Sequence, residues 1–155
     1  MANELSTLGI TVHYAVEATA GTRPTTGYTK VAHIKATPDF AVPPEGIEVT
    51  DLEETDIRRY VPGLRDLGDS LSFTANLTSD LITAWETAVT AADTAWATGK
   101  STWWEIKIPK LNKSFYFAGL PVELGISALE ENAPLETEGV IAPTGFEGFA
   151  SPSTP

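Results

Sequence analysis

The sequence predicts a mainly β fold with one flanking α-helix: an antiparallel β-sandwich or small barrel carrying a long projecting loop. Three observations predict it. Six or seven short runs alternate apolar and polar residues with period two, the pattern of half-buried strands. A single segment near the middle changes to helical spacing. One connection, residues 51–69, is too charged for a core segment and too punctuated for a helix. Many short strands with one amphipathic helix are satisfied by packed or curled sheets with the helix on a flank.

Residues 1–7 form a polar terminus, expected to fray unless a neighbour holds it. Ile10, Val12, Tyr14 and Val16 then alternate with Thr11, His13, Ala15 and Glu17, a strand with Tyr14 inward and His13 outward. A lone histidine opposite an apolar face reads as a surface residue, not a ligand, and His33 is read the same way. Residues 19–29, rich in Thr, Gly and Pro, read as a loop. Residues 31–36 form another strand, closed by Thr37-Pro38 because proline cannot donate to a ladder.

Pro43-Pro44 stiffens the entry to residues 47–50, where Ile47 and Val49 alternate with Glu48 and Thr50 as a half-buried strand of the sheet. Leu71, Phe73, Ala75 and Leu77 repeat the pattern beyond the charged excursion. A connection this long is either functional or disordered. Its composition argues against disorder: Ile57, Tyr60, Val61, Leu64 and Leu67 are apolar, and Pro62-Gly63 supplies a defined turn. Such a loop gains most by burying those residues outside its own domain, which points to a partner subunit.

Leu81, Ile82, Trp85, Ala88, Val89 and Ala92 share one helical face, predicting a helix over about 79–93, capped by Thr78, Ser79 or Asp80 and ended near Gly99. Its Trp85 and Ile82 stripe packs on a sheet. Residues 103–109 and 114–120 flank Lys110, Leu111, Asn112 and Lys113 as a hairpin. Trp104, Ile106 and Ile108 share one face; Trp103, Glu105 and Lys107 share the other. Adjacent tryptophans cannot both face the same core, so Trp103 is either partly exposed or covered by a partner. Residues 120–129 read as a strand with Val122, Leu124 and Ile126 on one face. Residues 135–141 place Leu135, Thr137, Gly139 and Ile141 opposite Glu136, Glu138 and Val140. From Pro143 the period is lost, so the domain is taken as 1–145 and residues 146–155 as a carboxy-terminal arm.

At 155 residues the chain fits one domain, and it contains no cysteine, which removes disulfides, thiolate nucleophiles and Cys-based zinc sites. The net charge of -11 disfavours tight nucleic-acid binding, which draws its affinity from Lys and Arg on phosphates. Residues 114–155 contain no Lys or Arg but hold Glu123, Glu130, Glu131, Glu136, Glu138 and Glu147: either a solvated acidic surface or an acidic lining. No apolar run approaches the ~20 residues that cross a bilayer, and the start does not resemble a secretory signal, so a soluble protein inside the producing cell is expected. No serine or histidine sits in a nucleophile turn, no phosphate-cradling glycine motif is present, and the Asp51–Asp56 carboxylates lack calcium-loop spacing. Catalytic residues, metal ligands and cofactors are therefore all expected to be absent.

The runs IEVTDLEE and RRYVPGLRDLGDSLSFTANL, followed by a tryptophan-bearing helix and preceded by GITVHYAVEATAGTRPTTGYTKVAHIKATPDFAVPP, resemble the major tail tube proteins of long-tailed, siphovirus-type bacteriophages. The resemblance covers about residues 8–145. It implies a structural virion protein that forms hexameric rings stacked into a tube for DNA delivery, with sheet strands lining the lumen and the long loop and chain ends bridging rings. On this chain the bridging loop is 51–69, with Tyr60, Pro62, Gly63 and Leu64 as contact residues, and the arms are 1–7 and 146–155. Trp103 joins the inter-subunit contacts, and Glu123, Glu136 and Glu138 are assigned to an acidic lumen that repels DNA. The implied partners are further copies of the chain, tape measure, tail tip and terminator proteins, and DNA passing without specific binding; no membrane is implied. The implied location is the virion tail, reached from the host cytoplasm during assembly. Two alternatives stand beside this: a carbohydrate-binding β-sandwich module using Trp103, Tyr116 and Tyr28 as stacking platforms, and a tube protein of a related contractile or secretion system.

Overall fold

Seven strands form one antiparallel sheet in the computed structural model, which describes residues 8–155; the expected amino-terminal arm lies outside the described residues. In chain order the strands are β1 (Thr11–Val16), β2 (Thr29–Val31), β3 (Ile34–Ala36), β4 (Gly46–Glu48), β5 (Tyr60–Pro62), β6 (Leu71–Asn76), β7 (Thr102–Lys107), β8 (Ser114–Pro121) and β9 (Glu136–Ala150). The helix α1 (Ser79–Ala97) falls between β6 and β7. The sheet order is β2-β1-β7-β8-β9-β6-β3, while β4 and β5 pair separately as a two-stranded ribbon.

The edge strands β2 and β3 are two residues apart in sequence, yet β2 pairs with β1 and β3 with β6. Two residues span only about 7–10 Å, so the sheet curls into a half-barrel whose two edges this segment joins. His33 makes the corner, with φ of 67°. Residues 31–36, read above as one strand, are therefore two strands bent at Ala32-His33.

The core lies between the concave face and α1. Leu81, Trp85, Ala88, Ala92 and Ala95 of the helix are buried, and Leu81, Trp85 and Ala88 meet Tyr14, Phe73, Trp104, Phe117 and Ile141 in one cluster. The three alanines let the helix approach closely. Trp85 fits because Gly139 has no side chain: a Cβ there would stand 2.6 Å from the indole ring. Its Nε1–H donates to the Val122 carbonyl at 2.7 Å, and that of Trp104 to the Gly119 carbonyl at 3.1 Å.

The helix runs four residues beyond the expected end because Ala95 continues the buried stripe. Thr78 caps it, its hydroxyl accepting from the Leu81 N–H at 3.1 Å. Gly99, at φ 78°, closes it with the paired bonds Lys100 N–H to Ala95 O and Gly99 N–H to Trp96 O.

Two further segments differ from expectation. The strand expected at 120–129 ends at Pro121, and 122–135 is irregular. The two edges of β8 are already occupied by β7 and β9, so a following strand has no ladder to join. Conversely, residues 143–150 continue β9 in the sheet. Register shifts opposite Tyr116/Phe117 and Ala118/Gly119 interrupt its alternation, which is why the segment looks aperiodic in sequence.

Candidate assembly surface

The charged excursion is a β-hairpin. Ile47 stands directly opposite Val61, and Glu48 opposite Tyr60; the Val49 N–H extends the ladder to Arg59 O at 2.9 Å. Strand alternation places Ile47, Val49 and Val61 on one face. All six residues of the two strands are exposed, so the entry strand expected to face the core instead leaves the domain. β4 is paired to β5 and to neither edge of the main sheet.

The tip is ordered by its own polar groups. The Arg59 N–H donates to Thr50 Oγ1 at 2.8 Å, and its guanidinium reaches Asp51 at 3.2 Å and Glu54 at 3.6 Å. Many of the charges that made the stretch look solvated therefore brace it. Leu52 is fully exposed, Leu64 is 88% exposed, and Ile57 also lies in solvent. A braced hairpin with this much uncovered apolar surface is a candidate interaction site.

Of the residues assigned to inter-subunit contact, Tyr60, Pro62, Gly63 and Leu64 come together on the returning limb of this hairpin. Tyr60 lies over Gly46, on the face opposite Ile47 and Val61, and the Ile47 side chain lies close to Gly63. Trp103 is elsewhere, half-buried on β7, with its Nε1–H donating to Glu17 at 3.0 Å. Sequence reasoning does not single out Ile47, Val49 and Leu52 as contacts; the alternation of Ile47 and Val49 is a visible signal, whereas Leu52 lies outside it.

The three glutamates assigned to a lumen do not share a surface. Glu136 and Glu138 project from β9 away from the core, Glu136 in an ion pair with Lys35. Glu123 lies on the other side of β9, beside α1. There it borders a groove of about 500 Å³ whose walls are Leu77, Ile82, Val89, Leu124 and Ile126, with Glu86 on the opposite rim. The irregular path of residues 122–126 creates this groove.

The outward face of β7 and β8 is covered by the chain's own carboxy terminus. Glu105 is fully buried. It accepts from the Ser153 N–H at 3.0 Å, the Ser153 hydroxyl at 2.6 Å and the Tyr116 hydroxyl at 2.9 Å. The same Tyr116 hydroxyl lies 2.7 Å from Ser151 O, so its one proton is shared between that carbonyl and the carboxylate, and Thr154 bridges to Thr26. The last residues thus form a strap tied to a buried carboxylate. Arg23 reinforces the site, pairing with Glu147 and lying 4.0 Å from the Tyr116 ring centroid. This burial removes Tyr116 as a sugar-stacking platform, and Tyr28 packs against it at 6.0 Å without forming an open row with Trp103.

Burial pushes the Glu105 carboxyl up, but the hydrogen bonds from Ser153 and Tyr116 outweigh it and hold the group below the usual carboxylate range. His13 stands opposite it in register. A carboxylate lowered by folding contributes stability above its unfolded pKa and loses it as pH falls through the folded value. The melting-temperature gap between wild type and Glu105→Gln should therefore be widest near neutral pH and close in acid. A gap constant with pH would show that the charge is not what holds the strap.

Among the described residues, no group of His, Asp and Glu is placed to hold a metal ion, and no helix is long and apolar enough to cross a membrane.

The fold is shared with chains of two solved assemblies. A chain of the anti-feeding prophage (AFP) baseplate, solved by cryo-EM with six-fold symmetrisation, superposes with a TM-score of 0.64 over 97% of this chain and 98% of that one, at 12% identity. A chain from the tail of an empty GTA particle, refined helically with C6 symmetry, superposes at 0.53 over 93% and 96%, at 15% identity. At these identities the likeness is one of fold. No protein-family model matches the sequence, and no curated protein matches it.

Proposed function

We propose that this chain is a structural virion protein that assembles as hexameric rings stacked into a phage tail tube, the conduit for DNA into the host. The observation that carries the reading is the β4–β5 hairpin, a braced projection whose apolar face is uncovered by its own domain. The six-fold symmetry of the two similar assemblies supports a ring. The protein has no enzymatic role in this reading and needs no cofactor or membrane. Its partners are further copies, tape measure, tail tip and terminator proteins, and DNA in transit; it is built in the host cytoplasm and resides in the virion tail.

An acidic bore repels phosphate and lets DNA slide, which gives the net charge of -11 a purpose. Glu136 and Glu138 share the sheet face assigned to that bore. Glu123 borders the groove beside α1, so this reading rests the lining on Glu136 and Glu138. A second reading, a ring of the baseplate, is favoured by the likeness to a baseplate chain at the higher TM-score.

Negative-stain electron microscopy of concentrated protein, with light scattering on the same sample, tests both. Hollow tubes of uniform width are the expected result. Single rings that do not stack would favour the baseplate reading. A persistent monomer retained on a polysaccharide resin would overturn both.

A further inference from the structure

We propose that the outward face of β7 and β8 around Glu105 is a binding seat for an extended, hydroxyl-bearing peptide end. Its occupant is this chain's own residues 151–155, held as a detachable latch whether or not the chain assembles. The terminal sequence Ser151-Pro152-Ser153-Thr154-Pro155 suits such a role. Proline fixes its own φ and keeps the residue before it extended, so Ser151 and Thr154 are preset and less chain entropy is lost on docking. The two N–H groups between the prolines are both used on the seat: that of Ser153 reaches Glu105 at 3.0 Å, and that of Thr154 the Thr25 carbonyl at 3.0 Å.

What holds the segment is polar, and most of it converges on one carboxylate. Ser151, Pro152, Thr154 and Pro155 are exposed and Ser153 is half-buried, so the strap adds no apolar side chain to the core. Ser153 gives its N–H to one oxygen of Glu105 and its hydroxyl, at 2.6 Å, to the other. Hydrogen bonds to an ionised group are about twice as strong as neutral ones, and a buried carboxylate short of donors is costly. Glu105 therefore selects a segment that presents two donors from one residue. Beside it the floor is aromatic: Tyr116, with Tyr28 packed on it at 6.0 Å and the Arg23 guanidinium 4.0 Å from its ring centroid. None of these groups comes from the strap, so the seat stands without its occupant. Lifting the strap gives Glu105 to water in place of Ser153, and the apolar core on the other face of the sheet is untouched.

The test uses the full chain, whose lack of cysteine leaves introduced thiols free of background. Thr26 and Thr154 pair as a β-bridge, a spacing of about 4.8 Å that suits a disulfide. In a glutathione buffer Thr26→Cys with Thr154→Cys should close within one chain. Adding Ser153→Ala or Glu105→Gln should lower the equilibrium constant for closure roughly tenfold. A synthetic Ser-Pro-Ser-Thr-Pro peptide, followed by NMR at the Glu105 and Tyr116 amides, should bind the Ser153→Ala chain roughly tenfold more tightly than wild type, whose own end competes. A Ser-Pro-Ala-Thr-Pro peptide should not bind. Ser153→Ala should change the melting temperature by no more than about 4 °C. Closure indifferent to both substitutions would overturn Glu105 as the anchor, and disulfides between chains would overturn the chain's own end as the occupant. A peptide that binds neither chain would overturn the seat. A larger drop in melting temperature would make the strap part of the domain and not a latch.

Discussion

Ile47→Asp combined with Val61→Asp should suppress assembly while leaving the monomer folded. Both side chains lie opposite one another on the ribbon, and both are exposed in the isolated chain. Surface changes of this kind shift monomer stability by about 0.5 kcal/mol or less. Ile47 and Val61 are 52% and 43% exposed in the free chain, so covering what remains at an interface is worth about 0.8–1.5 kcal/mol each. The pair therefore removes about 1.5–3 kcal/mol per hairpin, and at ~1.4 kcal/mol per tenfold the concentration needed for assembly rises roughly tenfold to 100-fold. Aspartate adds a desolvation cost in the same direction. Sedimentation velocity and electron microscopy would read the assembly, and circular dichroism melting would read the fold. Unchanged assembly would eliminate this face as a contact; a large drop in melting temperature would show that the hairpin supports its own domain after all.

The second large effect is expected in the core. Trp85→Ala empties the site between α1 and the sheet and breaks the hydrogen bond that holds the Val122 carbonyl. Removing a buried aromatic of this size costs about 3–5 kcal/mol. Gly139→Ala should cost about 1–3 kcal/mol by the opposite route, because the new methyl group would sit 2.6 Å from a ring that is itself fully packed. The two losses are not independent. With the indole gone, a methyl group on the backbone at position 139 has room, so the double variant should lose less than the sum of the singles, by an amount that denaturant melts resolve. Strict additivity would mean that the backbone of β9, rather than Trp85, absorbs the added methyl. Because Val122 begins the irregular wall of the groove, Trp85→Ala should also loosen that wall, visible as faster hydrogen exchange over residues 122–126.

Several elements were legible without coordinates because their determinants are local. Thr78, the 81/85/88/92 stripe and Gly99 specify α1 within the segment itself. The Trp104/Ile106 alternation and the 110–113 turn specify the β7–β8 hairpin. The faces of β6 and of the first half of β9 follow from their alternation, with Phe73, Thr137 and Ile141 inward as read. The projection of residues 51–69 was readable from their charge.

What only the tertiary structure decided is what lies against each face. Alternation records that one side of a strand is apolar, and Ile47 and Val49 satisfy it as well as Phe73 and Ala75 do; only the chain's path shows that the first pair leaves the domain while the second lines its core. Glu105 carries the signature of an outward residue, yet a strap 48 residues away covers and hydrogen-bonds it. The bulges that keep residues 143–150 in the sheet erase the period that would have disclosed the strand. Local sequence determines which elements form and which face of each is apolar, because propensity, capping and periodicity act over a few residues. Which faces are covered, by what, and which remain open for another molecule depend on contacts distant in sequence, and these exist only once the sheet has curled.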